Sequence, residues 1–416
     1  MLLKNLKLHN FRNYNEQDIE FKPGLNIILG ENAQGKSNLL EAIEYISTGK
    51  SYRATHDTEL ISRSKNQASI AVQYLIDWDK RSNLQNISID FKTTPVEGKT
   101  KSLKLEKKVK INGATYSTTR NLKGSLCVVS FKSEDLNLAR GGPKYRRDWI
   151  DNLLSSIDLG YRETSNRYAK CITQRNRLLK NIAEKGGRYN LSDSDKEQLR
   201  VWSRQAASLG AKVTKERLKL LDQMRPLIES YQEKISGKNE PITVRYFQTS
   251  TEEDPESPEN LDQQDDQLGP NWNETSESEL ESRLMSLYKS RFNEELARKQ
   301  TLSGPHRDDI VFCLNDLPAK NYGSQGQTRT LVLSLKIAEL DLVSDHLHEP
   351  PILLLDDVLA ELDLNRQNFL MQEVANRQDM QTVITTTHID AFQKNWLNGA
   401  SFYEVAVGII KEKISC

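Results

Sequence analysis

The chain has 416 residues, in which 58 Lys and Arg balance 58 Asp and Glu; it is long enough for two or three domains with a buried core, and its net charge says nothing about a polyanionic partner. The cysteines, Cys127, Cys171, Cys313 and Cys416, are scattered, without a C-x-x-C pair or a histidine at zinc spacing, which argues against a disulfide scaffold and a zinc module. The opening MLLKNLKLHNF breaks its leucines with Lys4, Lys7 and His9, and no apolar run reaches bilayer length, so a soluble cytoplasmic protein without a membrane partner is expected.

In chain order, LKLHNF and IEFKPGLNIIL carry strand-like alternation around a Pro23-Gly24 turn. Between Ala68 and Val129, SIAVQYLI, ISIDF, the alternation from Lys104 to Ile111 and SLCVVSF predict an antiparallel meander, with Asn112-Gly113 as a hairpin turn. From Trp149 to Ile235 the spacing is helical. Ser194 and Glu197 fit an S-x-x-E capping box, and the stripe through Leu199, Trp202, Ala206, Leu209 and Val213 predicts a helical hairpin or short coiled coil, kinked at Pro226. Thr251 to Glu281 holds twelve acidic residues, three prolines and no Lys or Arg, the composition of a disordered insertion. DIVFCLN then reads as a strand, Gln325 to His346 as a helix, ILLL as a buried strand, a helix follows Asp363, and QTVITTT is a strand leading to His388.

The stretch Gly30-Glu31-Asn32-Ala33-Gln34-Gly35-Lys36-Ser37, followed by Asn38, satisfies G-x-x-x-x-G-K-[ST] between a strand and a helix. Glycines let successive N–H groups converge, and a helix N-terminus carries roughly half a positive charge. The pattern predicts a triphosphate site for ATP, with Lys36 as a point charge and Ser37 as a Mg²⁺ ligand. Such a site needs a second acid at the end of a buried strand. ILLLDDVLAELD supplies Asp356 for the Mg²⁺ shell and Asp357 to address the attacking water. Upstream, Ser324, Gln325, Gly326 and Gln327 open a second helix, whose hydroxyl and amides can cap it locally or contact a γ-phosphate.

That last segment resembles the signature motif of ATP-binding-cassette ATPases, which acts on the nucleotide of the opposite protomer. Ala360-Glu361-Leu362-Asp363 then resembles the D-loop and His388 the switch histidine. Most of the chain separates Lys36 from Asp356, a layout similar to the heads of structural-maintenance and Rad50-like ATPases but with a short arm, and unlike transporter cassettes. LHNFRNY, GENAQGKSNLLEAIEYISTGKSYR, FKSEDLNLARGGPKYRRDWID, SGPHRDDI and LLDDVLAELDLNRQNFL resemble the RecF family of DNA repair proteins over nearly the whole chain. GPHRDD by itself suggests no more than a turn into a strand.

The resemblance implies an α/β ATP-binding-cassette head with mixed sheets and a mainly helical second lobe carrying a short coiled-coil-like arm. The expected parts are 1–145, the helical lobe 146–300 with the insertion 251–281, and 301–416. The implied activity is a weak, DNA-dependent ATPase in recombinational repair and replication. An ATP-dependent homodimer clamps gapped or double-stranded DNA without sequence preference, with RecR and RecO as partners in loading RecA. Arg12 and Asn13 are then expected near the nucleotide. Asp357 stands where cassette ATPases at large have glutamate, which implies slow hydrolysis. Basic residues cluster from Gly98 to Gly124 and at ARGGPKYRRDW, nominating Lys104, Lys107, Lys108, Lys110, Arg146 and Arg147 for DNA phosphates; roughly six neutralised phosphates give a log–log salt slope of about −5.

Overall fold

The computed structural model describes residues 1–76, 83–95, 103–122, 124–187, 191–237, 240–248, 275–388, 392, 394–397 and 399–413. It divides into two compact units, Met1–Asp135 with Glu339–Cys416, and Leu136–Ala338. The segment 301–338, expected with the C-terminal part of the ATPase lobe, therefore packs with the second unit.

The first unit opens with strands β1 (Leu2–Phe11), β2 (Tyr14–Glu20) and β3 (Leu25–Leu29), then helix α1 (Lys36–Thr48). In β1, Leu6 and Leu8 are buried while Lys7 faces out to Asp18 on β2 at 2.8 Å; the period of two puts one face of the strand into the core. Next come β4 (Gln67–Ile76), β5 (Asn83–Pro95), β6 (Leu103–Ile111), β7 (Ala114–Tyr116) and β8 (Val128–Lys132). One antiparallel sheet has the order β2-β1-β4-β5-β6-β7. Asn112 and Gly113, at φ 49° and 86°, make the expected tight turn between β6 and β7.

SLCVVSF does not finish that meander. Its strand β8 leaves the sheet and runs parallel to a strand from the other end of the chain. A period of two identifies a face and not a partner, so the alternation alone could not separate the two outcomes.

The second unit holds α2 (Pro143–Ile157), α3 (Leu159–Glu184) and α4 (Asp193–Ser236), then β9 (Ile242–Phe247), α5 (Glu277–Ser290), α6 (Phe292–Arg298), β10 (Asp309–Leu314), β11 (Leu317–Pro318) and the start of α7 (Gln325–Leu347). Helices α3 and α4 form the expected hairpin, with Arg175 bonded to Ser203 at 3.1 Å. The cap of α4 lies two residues earlier than expected. Ser192, not Ser194, accepts from the Asp195 N–H at 3.1 Å; Ser192/Asp195 repeats the same capping pattern, and the longer helix uses it. Pro226 lies inside α4, which continues through it. The acidic segment ends in structure: Glu277 and Glu279 belong to the first turn of α5, capped by Ser276, while 251–274 lies outside the described residues.

Back in the first unit, β12 (Ile352–Asp356), α8 (Leu364–Asn376), β13 (Thr382–Thr386), β14 (Ser401–Ala406) and β15 (Ile409–Lys413) complete the chain. The central sheet has the order β15-β14-β3-β13-β12-β8, parallel except for β15. Of its inner strands, ILLL reads as a continuous apolar run, as parallel strands covered on both faces do, while LNIIL carries the buried Asn26, whose amide donates to the Lys22 carbonyl at 2.9 Å. The β14–β15 hairpin has no counterpart in the expected elements. Among the described residues no helix is long and apolar enough to cross a membrane.

Candidate nucleotide site

Three neighbouring parallel strands, β3, β13 and β12, end side by side, and each delivers part of one site at its C-terminal end. From β3 comes the glycine-rich turn. Ala33 and Gly35 adopt φ 63° and 123°, and a Cβ on Gly30 would meet the Val405 carbonyl at 2.6 Å, so the turn needs glycine at both motif positions. The N-cap of α1 is Gly35, which has no side chain to cap it. The amides of Lys36, Ser37 and Asn38 have no hydrogen-bond partner among the described residues.

Lys36 is 3 % exposed at its side chain and folds back over the turn. Its Nζ donates to the carbonyls of Gly30 at 2.8 Å and Glu31 at 3.3 Å. From β12 come the two acids. Ser37 donates to Asp356 Oδ1 at 2.9 Å across 319 positions of sequence, and Asp357 Oδ2 lies 3.6 Å from Lys36 Nζ. Asp357 adopts φ 51°, a left-handed backbone that turns its carboxylate away from the line of the strand. Burial raises its pKa; Lys36 opposes the shift and Asp356 adds to it.

β13 supplies a residue that sequence reasoning missed. Thr385 Oγ1 donates to Asp356 Oδ1 at 2.9 Å and accepts from the Asp357 N–H at 2.9 Å, so one hydroxyl sets both acids. Tyr52 adds a weaker donor to Asp356 Oδ2 at 3.3 Å; burial first, then Asp356, pushes its pKa far up, so it stays a neutral donor. The only sequence signal was a polar residue in a buried β-branched run beside the acidic strand.

Arg12 and Asn13 sit beside the turn in different roles. Arg12 is paired with the fully buried Glu41 of α1 through two bonds of 2.9 and 2.6 Å, which anchors the helix. Asn13 donates to the Gln34 carbonyl at 2.8 Å and accepts from Asn38 at 2.8 Å. His388 follows β13 with an exposed imidazole, its N–H and carbonyl both on Thr386 Oγ1. Asp363 caps α8, accepting from the Arg366 N–H at 3.1 Å.

In the second unit, Ser324 and Gln327 form a reciprocal cap. The Gln327 N–H donates to Ser324 Oγ at 3.1 Å, and the Ser324 N–H to Gln327 Oε1 at 2.8 Å. Ser324 and Gln325 remain exposed at the start of α7. The local capping role and an exposed anion-facing helix start are thus compatible.

The basic candidates separate. Lys108 and Lys110 are exposed on β6, Lys104 pairs with Glu106 at 2.9 Å, and Lys107 pairs with Asp57. Arg146 is a correction. It is 2 % exposed and holds Asp309 through two bonds of 2.9 and 2.7 Å, so its guanidinium is consumed inside the unit and cannot reach DNA. Arg147 is partly buried and donates to the Asp308 carbonyl at 2.8 Å. GPHRDD also acquires a role. Pro305 accepts from Arg217 at 2.7 Å, His306 bonds Tyr168 at 2.6 Å, Asp308 accepts from Tyr246 at 2.8 Å and Asp309 binds Arg146, so the segment ties α2, α3, α4 and β9 together.

Unpartnered amides at a helix start, a buried ammonium and a hydroxyl–carboxylate pair fit a triphosphate with a divalent cation. The ions' ligands would be Ser37 and Asp356.

A family model described as the RecF/RecN/SMC N terminal domain matches residues 2–411. The DNA replication and repair protein RecF of Trichodesmium erythraeum is 39 % identical over 414 residues, spanning 99 % of this chain and 98 % of that one. Its counterpart from Gloeothece citriformis is 36 % identical over 419 residues, 99 % and 100 % of the two chains. A solved structure of the recombination mediator protein RecF-ATP in the RecFOR pathway superposes with a TM-score of 0.81 at 28 % identity, over 99 % of this chain and 97 % of that one. The Smc head domain from Pyrococcus furiosus, at 15 % identity and a TM-score of 0.52 over 99 % and 96 %, shares the fold.

Proposed function

The chain belongs to the RecF family, and on that premise we propose that it is an ATP-dependent DNA-binding protein of replication and recombinational repair. The observation that carries this reading is the 2.9 Å bond between Ser37 and Asp356, which joins the phosphate turn to the acidic strand as a nucleotide-hydrolysing site requires. Two copies hold ATP between the turn of one and the exposed Ser324 helix start of the other, and the dimer clamps DNA. Lys36 and the α1 amides bind the β- and γ-phosphates, and Mg²⁺, when bound, screens their charge. Asp357 orients the attacking water, and His388 contacts the γ-phosphate. Exposed Lys104, Lys108 and Lys110 face DNA phosphates, so binding follows shape and backbone rather than base sequence. By family membership RecO, RecR and RecA are the partners, at gapped DNA in the cytoplasm.

Light scattering with and without ATP tests the reading. The parent dimerises with ATP and binds gapped duplex more tightly as a dimer, while Lys36→Arg and Ser324→Arg stay monomeric; variants that dimerise as well as the parent would refute the shared site. A second reading, a nucleotide-held scaffold without useful turnover, is favoured by Asp357 lying beside Lys36 on a side chain one methylene shorter than glutamate. Asp357→Asn separates the two, since unchanged repair with lost turnover supports the scaffold.

A further inference from the structure

The carbonyls of the phosphate turn are held from behind by two segments distant in sequence. The Gln34 carbonyl accepts from Asn13 Nδ2 at 2.8 Å and from the Gly408 N–H at 3.1 Å. The Gly35 carbonyl accepts from the Tyr14 hydroxyl at 2.8 Å and from the Leu39 N–H at 3.1 Å. Tyr14 is fully buried, and burial keeps its hydroxyl protonated by raising its pKa. The β14–β15 turn adds a third grip, because the Val407 N–H donates to Gln34 Oε1 at 2.7 Å.

The fit leaves no slack. A Cβ on Gly35 would lie 2.7 Å from Asn13 Nδ2 and 2.9 Å from the Tyr14 hydroxyl, and a Cβ on Gly408, at φ 71°, would lie 2.3 Å from the Asn13 carbonyl oxygen. A trans peptide is planar, so its C=O and the next residue's N–H point in opposite directions. Fixing the Gln34 carbonyl therefore fixes the Gly35 N–H, and fixing the Gly35 carbonyl fixes the Lys36 N–H. Both amides then point to the open side of the turn before any ligand arrives.

The geometry points to Asn13, Tyr14 and the Val407–Gly408 turn as positioning residues that hold two peptide planes of the phosphate turn in their anion-binding orientation. Asn13 thus acts on the nucleotide through the Gln34 carbonyl and not by touching base or ribose. The inference rests on the reading that this turn binds the triphosphate. Preorganised amides lower the cost of ordering the loop around the anion.

Magnesium-ATP and magnesium tripolyphosphate, which lacks base and ribose, are titrated by calorimetry into the full-length parent, Asn13→Ala, Tyr14→Phe and the double variant. Each single change is expected to weaken both ligands by the same factor, about fivefold, the worth of one hydrogen bond, and the double variant by about 25-fold. A loss confined to ATP, with tripolyphosphate unchanged, overturns the inference because it means direct contact with base or ribose. Unchanged affinity in the double variant overturns it as well. A parent that binds neither ligand refutes the nucleotide reading itself, a separate outcome. If melting curves show that Tyr14→Phe fails to fold, Gln34→Ala, which removes only the acceptor for the Val407 N–H, takes its place; an equal loss for both ligands supports the inference and no loss overturns it.

Discussion

Lys36 of the first unit and Arg175 of the second are both buried cations, with 3 % and 1 % of their side chains exposed, but their surroundings differ. Arg175 donates to Ser203 at 3.1 Å, Thr301 at 2.7 Å and Glu295 at 2.6 Å, and its guanidinium lies over the Tyr288 ring at 4.4 Å. Arg146 with Asp309, and Arg217 with Asp151, repeat the arrangement. Lys36 meets two carbonyls, and its nearest carboxylate stands off at 3.6 Å. A buried charge matched in full by the fold is committed to structure, whereas one matched in part keeps attraction to spare for an anion.

The contrast breaks first at Arg175. Arg175→Met leaves the Glu295 carboxylate buried without its partner, and the expected loss in urea unfolding is about 3–5 kcal/mol; a loss below about 1 kcal/mol would show that the pair is not matched as described. Lys36→Ala should do the reverse, lowering ATP affinity about a hundredfold, worth about 3 kcal/mol, with stability nearly unchanged. Calorimetric titration and thermal melts on one preparation read both quantities.

Acid sharpens the same comparison. His306 is held neutral in the second unit between the Tyr168 hydroxyl and the Thr301 carbonyl, and burial pulls its pKa from 6.5 down to about 4. The unfolded chain takes up the proton as pH falls below about 6.5 and the folded chain only near 4, so this contribution is complete above about pH 6.5. Falling pH then removes it, by about 3 kcal/mol at the limit. His306→Gln should flatten that slope in pH-dependent urea unfolding. In the first unit, Thr385→Val removes the hydroxyl that sets both acids and should slow turnover about tenfold, about 1.4 kcal/mol, while the Asp357 N–H left without its acceptor should cost about 1 kcal/mol in urea unfolding. The smallest effect belongs to exposed Lys108. Lys108→Ala should reduce the log–log salt slope of DNA binding by about one and affinity by less than about threefold, measured by fluorescence anisotropy.

Local order was legible where one segment satisfies its own requirements. The turn from Gly30 to Ser37 and the helix starting at Gln325 follow from glycine spacing and capping chemistry within a few residues of chain; the helix after Asp363 was legible but its cap was not, and the cap read at Ser194 lies at Ser192. The apolar run ILLL announced a strand covered on both faces, whereas LNIIL showed only that it is a strand. Partners were not legible. SLCVVSF alternates as well for the meander as for its place beside β12, and Arg146 reads as surface charge until Asp309 closes on it.

The residues themselves determined that a phosphate turn, an acidic strand and a capped serine helix exist, because each depends on backbone geometry that neighbours in sequence impose. Tertiary structure alone decided which charges are spent and which are free. Hydrogen-bond satisfaction is a property of groups within about 3 Å of each other, and in this chain those groups come from positions as far apart as Gln34 and Gly408 or Ser37 and Asp356.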